Sequence, residues 1–198
     1  MLLLHMLKKH LSFILYLALI SANVHAVKEK AAIKFATNII NTTYDINENK
    51  QYSEKKKKEL IAKNIQDSLN LESSLKSALG SDRSNLSPEE FDALMQKYPH
   101  FINQSLDILI EKLMQMDRKD IKIINKVAKI SESTSVVSVN FPSENGSMSI
   151  LEINIKEKND QLYVLDFSIS GVSIRSVQRE IVQQLIEENG LHNLIKSF

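Results

Sequence analysis

Few side chains in this sequence carry chemistry, and those that do stand apart from one another. The 198 residues include no cysteine, which excludes disulfides and thiolate catalysis. Three of the five histidines fall within the first 26 residues. The other two, His100 and His192, sit at no spacing that suggests a metal pair or a base beside a nucleophile. Gly171-Val172-Ser173 is half of a nucleophile elbow, but Arg175 occupies the place of its second glycine. No glycine-rich stretch could cradle a phosphate. Asp117 and Asp120 read as the solvated end of a helix. Asp166 is the one charge inside an apolar strand-like segment, and its expected task is to accept backbone N–H groups where the chain bends. Neither a catalytic group nor a metal site is expected.

The elements that position Asp166 are legible around it. Residues 161–169 alternate, with Tyr163, Leu165 and Phe167 on one side and Leu162, Val164 and Asp166 on the other, which is the period of a strand. The chain breaks at Ser170-Gly171, and the period becomes helical through Ile174, Val177, Ile181, Val182, Leu185 and Ile186. Gly190 follows as the residue that ends that helix.

Upstream, residues 28–44 predict a helix with Ala32, Phe35, Ala36, Ile39 and Ile40 on one face, followed by a loop over 41–51. A charged peripheral helix is expected from Ser53 to about Gln66, and helical structure continues from Asp67 to Leu79, ending at Gly80. Lys55–Lys58 reads as a solvated face of that peripheral helix. Ser87-Pro88-Glu89-Glu90 then combines a capping serine, a proline at the first helical position and a glutamate three residues after the serine. The helix it opens is apolar over an arc wide enough to need cover on more than one side, and Pro99 removes one of its backbone hydrogen bonds. From Asp120 onward the texture is β, with strands predicted at 121–130, 135–141, 148–156 and 162–169. Ser143-Glu144-Asn145-Gly146 and Lys158-Asn159-Asp160 are the expected hairpin turns. Helices, then an antiparallel meander, then a closing helix make an α+β domain, with an apolar pocket expected between helices and sheet.

Composition narrows the class further. Hydrophobic residues make up 43% of the chain, enough for a real core, and the net charge is only +1. Such near-neutrality argues against nucleic acid as a partner. Residues 1–26 have a basic start (Lys8, Lys9), an apolar stretch over 11–22 and the ending Val24-His25-Ala26. That is the pattern of an export signal cleaved after Ala26, leaving residues 27–198 as a single domain.

Several short features, taken in order, resemble one family. Ala78-Leu79-Gly80 is followed after six residues by Ser87-Pro88 and a long helix. Leu165-Asp166-Phe167 and Gly171-Val172-Ser173 then lead into an amphipathic helix with Gly190 before Leu194-Ile195. This order and spacing resemble the MlaC family, also called the toluene-tolerance family, with Gly80, Pro88, Asp166, Gly171, Val172 and Ser173 as the matching fold markers. The resemblance implies a periplasmic phospholipid carrier with no cofactor, the bound phospholipid being cargo. Its implied partners are an inner-membrane ABC transporter with an MCE-domain subunit and an outer-membrane lipoprotein complex, and its implied role is to maintain outer-membrane lipid asymmetry.

A carrier has to hide acyl chains from water. At about 0.8 kcal/mol per methylene, two chains of about 15 methylenes represent on the order of 20 kcal/mol of transfer, which calls for a deep apolar pocket. Leu94, Phe101 and Leu109 on the long helix, with Val137, Val139, Ile153, Ile155, Val164 and Phe167 on the meander, are the expected lining. The headgroup would sit at the mouth in water, with little selectivity expected. A periplasmic chaperone using an apolar groove for protein partners is the alternative.

Overall fold

The computed structural model describes residues 29–115, 118–131, 134–142 and 147–198. The expected export signal, the turn at 143–146, Asp117 and the side chain of Asp120 lie outside the described residues.

Helix α1 covers residues 29–48, further than the expected end at Tyr44. It buries Ala32, Ala36, Ile39, Ile40, Thr43 and Tyr44 along one face. Its polar last turn is held by tertiary bonds that local composition does not reveal. Asn47 Nδ2 donates to the Met114 carbonyl (2.9 Å), and Arg118 donates to the Asn41 carbonyl and pairs with Asp45.

Helix α2 (Glu54–Ser68) is capped by Ser53, whose Oγ accepts the Lys56 N–H. Its lysines lie on the surface, as expected for a solvated face: Lys56 pairs with Glu59, Lys57 with Glu54 and Lys58 with Glu111.

The helix does not continue through Asp67 to Leu79 as its sequence suggested. Leu69 is extended, and Asn70 caps a separate helix α3 (Leu71–Leu79) by accepting the Ser73 N–H at 2.9 Å. Asparagine at this point offers the backbone a better partner outside a helix than inside one. The extended Leu69 forms a parallel bridge to Val164 of the sheet, so the break fastens the helical layer to the strands.

Helix α4 (Pro88–Gln115) is 28 residues long and opens with the expected capping box. The Ser87 N–H donates to Glu90 Oε2 at 2.8 Å, and the Glu90 N–H donates to Ser87 Oγ at 3.2 Å. The helix runs through Pro99, whose carbonyl accepts from Gln66 Nε2 of α2. It packs against α2, α3 and α5 (Ile174–Asn189), which explains its wide apolar arc.

The sheet has the order β1-β2-β3-β4-β5 and is antiparallel throughout: β1 (Lys122–Ser131), β2 (Thr134–Pro142), β3 (Met148–Lys158), β4 (Gln161–Ile169) and the two-residue β5 (Val172–Ser173). Lys158 pairs with Gln161 across Asn159 and Asp160, both at positive φ (53° and 60°), which is the hairpin turn whose twist matches the strands. Ile169 pairs with Val172 across Ser170 (φ 49°) and Gly171 (φ 85°), a second tight turn of the same kind. The molecule is α+β: helices cover one face of a five-stranded antiparallel sheet, and α5 follows the strands.

Candidate functional site

One row of the sheet runs through Val137, Ile153 and Phe167, which lie opposite one another on β2, β3 and β4. A second pairs Ile155 with Val164. All five side chains are buried, so both rows face the core.

The strand alternation alone placed Val164 and Phe167 on opposite faces. A bulge reconciles them. Asn154 pairs with Asp166 but Ile155 pairs with Val164, leaving Leu165 without an opposite number and shifting the phase of β4 by one residue. The bulge also turns Asp166 toward the start of α5. Its Oδ1 accepts the Arg175 N–H at 3.0 Å and its Oδ2 accepts from Ser173 Oγ at 2.6 Å. Ser173 Oγ in turn accepts the Ser176 N–H at 3.0 Å. Asp166 and Ser173 therefore cap α5 together, and Ser173 is committed to that cap. His192 lies elsewhere, exposed and paired with Glu90 (2.6 Å), so no nucleophile–base pair forms between them. Among the described residues no cluster of histidine and carboxylate groups could hold a metal ion.

The nine expected lining residues are all buried, none exposing more than 5% of its surface. All nine belong to one continuous core, and two of them also meet the C-terminal segment. Leu94 lines a groove of about 210 Å³ between the start of α4 and the C-terminal segment, beside Leu86, Leu191 and Ile195. Phe101 stacks on Phe198 at 4.3 Å between ring centroids. These two residues thus pack against the C-terminal segment. Leu109, Val137, Val139, Ile153, Ile155, Val164 and Phe167 belong to the continuous core that also holds Ile102 and Leu106. Leu109, Val137, Ile153 and Val164 expose no surface, even to an enclosed void, so here they pack directly against their neighbours.

The seam between helices and sheet is marked by a narrow crevice. Leu69, Ile102, Leu106, Phe167 and Ile174 supply its apolar wall, with Asp166, Arg175 and Gln178 at its polar side. Its cavity volume is about 10 Å³, at the lower limit for one water molecule.

Gln178 was not anticipated as a core residue. It lies midway between the buried Ile174 and Val182, at positions four residues apart, and is itself 4% exposed. Its Oε1 accepts from Tyr98 Oη (3.3 Å) and its Nε2 donates to Ser105 Oγ (2.9 Å), joining α5 to α4. Burial pushes the Tyr98 hydroxyl well above its ordinary pKa, so it remains a neutral donor. Of the apolar stripe expected on α5, Ile174 and Val182 are buried and Leu185 and Ile186 pack against the core, while Ile181 is exposed.

Two of the markers, Pro88 and Gly80, sit at helix ends, while Gly171 lies in the turn between β4 and β5. Pro88 begins α4. Gly80 ends α3 at φ 59° with the Arg179 guanidinium of α5 against it, and a Cβ there would stand 3.3 Å from Arg179 Nη2. Gln183 Nε2 donates to the Ala78 and Leu79 carbonyls, completing the junction of α3 and α5.

A solved structure of a phospholipid-binding protein from Ralstonia solanacearum, in complex with a phospholipid, has the same fold. It superposes with a TM-score of 0.61 at 14% sequence identity, over 84% of this chain and 91% of that one. A search of the curated proteins by sequence found no match. The family model described as MlaC protein matches residues 34–198, and the chain belongs to the MlaC family.

Proposed function

We propose that this protein binds a phospholipid between its helical layer and its sheet and carries it across the periplasm as a non-catalytic shuttle. The observation that carries this reading is family membership over residues 34–198, joined to a fold shared with a protein crystallised holding a phospholipid. The proposed route runs between an inner-membrane ABC transporter with an MCE-domain subunit and an outer-membrane lipoprotein complex, so that outer-membrane lipid asymmetry is maintained. The export signal at residues 1–26 would deliver the protein there. No helix among the described residues is long and apolar enough to cross a membrane.

The geometry adds a requirement. Because Leu109, Val137, Ile153 and Val164 are in direct contact with their neighbours, acyl chains enter this core only as the helices lift from the sheet. About 20 kcal/mol of acyl-chain transfer is ample to offset part of that separation.

Mass spectrometry of an organic extract from protein purified without detergent tests the reading. Near-stoichiometric phospholipid is expected, with an intact mass that begins at Val27. Protein that is empty, and stays empty after incubation with liposomes and the transporter, would rule out the carrier role.

A further inference from the structure

A cleft of about 510 Å³ lies beside the seam, between α3, the β3–β4 hairpin and the start of α5. Five cationic side chains line it: Lys76 on α3, Arg83 in the turn beyond α3, Lys156 and Lys158 on β3, and Arg175 on α5. Two carboxylates, Glu72 and Glu157, oppose them, leaving a net charge of +3 in the cleft of a chain whose total is +1. Lys76 is paired with Glu72. Arg83 and Lys156 have no ion pair among the described residues, and Lys158 acts on Glu72 only through space. Asn70, Ser73, Ser77 and Tyr163 add neutral hydrogen-bonding groups to the wall.

Arg175 ties this cleft to the core. It lines both the cleft and the narrow crevice at the helix–sheet seam. Its Nε donates to Ser77 Oγ at 2.5 Å, which holds the guanidinium at the boundary between polar and apolar walls. An amphiphile with its tails in the seam would therefore meet concentrated positive charge where its tails end. Phosphodiester oxygens accept from guanidinium and ammonium groups, whereas an ammonium on the headgroup would be repelled.

We infer that this cleft holds the headgroup of the cargo and selects phospholipids whose headgroup is net anionic over zwitterionic ones. The inference rests on the carrier reading and deepens it, replacing the indifferent, water-exposed headgroup expected from the sequence. Each exposed charge contact is worth up to a factor of about five, so an anionic preference of about that size or more is expected.

The test uses the exported protein, stripped of lipid and incubated with vesicles containing equal amounts of phosphatidylglycerol and phosphatidylethanolamine. Both lipids share one vesicle surface, so the ratio recovered on the protein reads headgroup selection rather than vesicle attraction. Phosphatidylglycerol enriched about five-fold is expected, falling toward the vesicle ratio in a Lys156→Gln, Lys158→Gln double variant with total loading retained. A Lys55→Gln, Lys56→Gln variant on the remote face of α2 makes the same change in net charge and should keep the enrichment. Equal loss in both variants would overturn the inference in favour of overall charge. Normal loading at the vesicle ratio in the unaltered protein overturns the cleft assignment while leaving the carrier reading intact; no loading at all removes both. Titration of the lipid-free protein with inorganic phosphate separates a free-anion site. Saturable binding lost in the Lys156→Gln, Lys158→Gln variant, with lipid ratios unmoved, would assign the cleft to phosphate alone and refute the headgroup role.

Discussion

Ile153→Ala separates a residue that packs in a permanently dry core from one that also faces cargo. Ile153 exposes no surface and lies between Val137 and Phe167 in the middle of the sheet. Removing about three methylene equivalents costs about 2.4 kcal/mol in transfer at about 0.8 kcal/mol each. The neighbouring strands are held by ladder hydrogen bonds and cannot collapse fully into the void, which raises the total to about 4 kcal/mol in the lipid-free protein. At about 3 °C per kcal/mol for a chain of this size, the melting temperature should fall by about 12 °C.

With phospholipid bound, a mobile acyl chain can move into the space vacated by the side chain. The cavity contribution then disappears, and the loss should shrink to about 2.4 kcal/mol, or about 7 °C. Linkage requires the difference of about 1.6 kcal/mol to reappear as affinity, so the variant should bind lipid more than about ten-fold tighter than the unaltered protein. Thermal melts of lipid-free and loaded protein, with lipid titrations of both forms, measure the two sides of this relation. Equal destabilisation with and without lipid, at unchanged affinity, would show that Ile153 never meets cargo and would refute the proposed location between helices and sheet.

Two other substitutions probe the scaffold. Asp166→Ala removes the carboxylate that accepts the Arg175 N–H and the Ser173 hydroxyl, and should cost about 2–3 kcal/mol in urea unfolding, as expected for bonds to a charged acceptor; a loss below about 0.5 kcal/mol would mean that Ser173 alone caps α5. Glu90 titrates below its ordinary value of 4.5, chiefly because the Ser87 N–H bonds its carboxylate and secondly because of His192. A lowered folded-state value means that this stabilisation is complete above about pH 4.5 and is lost as pH falls through the folded value. Glu90→Gln, which retains an acceptor for the capping box, should therefore unfold with a shallower acid dependence below that pH, while an identical pH profile would assign the bond no role in folding.

Much of the fold is written in local patterns, and its departures from them arise where distant parts of the chain meet. The capping box at Ser87–Glu90 and the turn at Asn159-Asp160 are decided by a few adjacent residues, and both form as their composition requires. The polar end of α1 has no such local support. It stays helical because Met114 and Arg118, far along the chain, satisfy Asn47, Asn41 and Asp45. The same holds for Gln178, whose polar side chain hides its place on the buried face of α5 until Tyr98 and Ser105 arrive from α4.

The bulge at Leu165 is the most consequential of these departures. A strict alternation would have sent either Val164 or Phe167 outward. One extra residue in β4 lets both apolar side chains face inward, while the carboxylate between them reaches α5 at the edge of the seam. The acidic marker at the start of the last helix is thus the outward side of the same irregularity that completes the apolar floor. Straightening it, by deleting Leu165, would restore regular pairing and keep Val164 and Phe167 on one face, with Asp166 opposite Asn154 on the other. The bulge couples the helix that carries Arg175 to the floor proposed to lie beneath the acyl chains, so headgroup and tails would be held by one continuous piece of backbone.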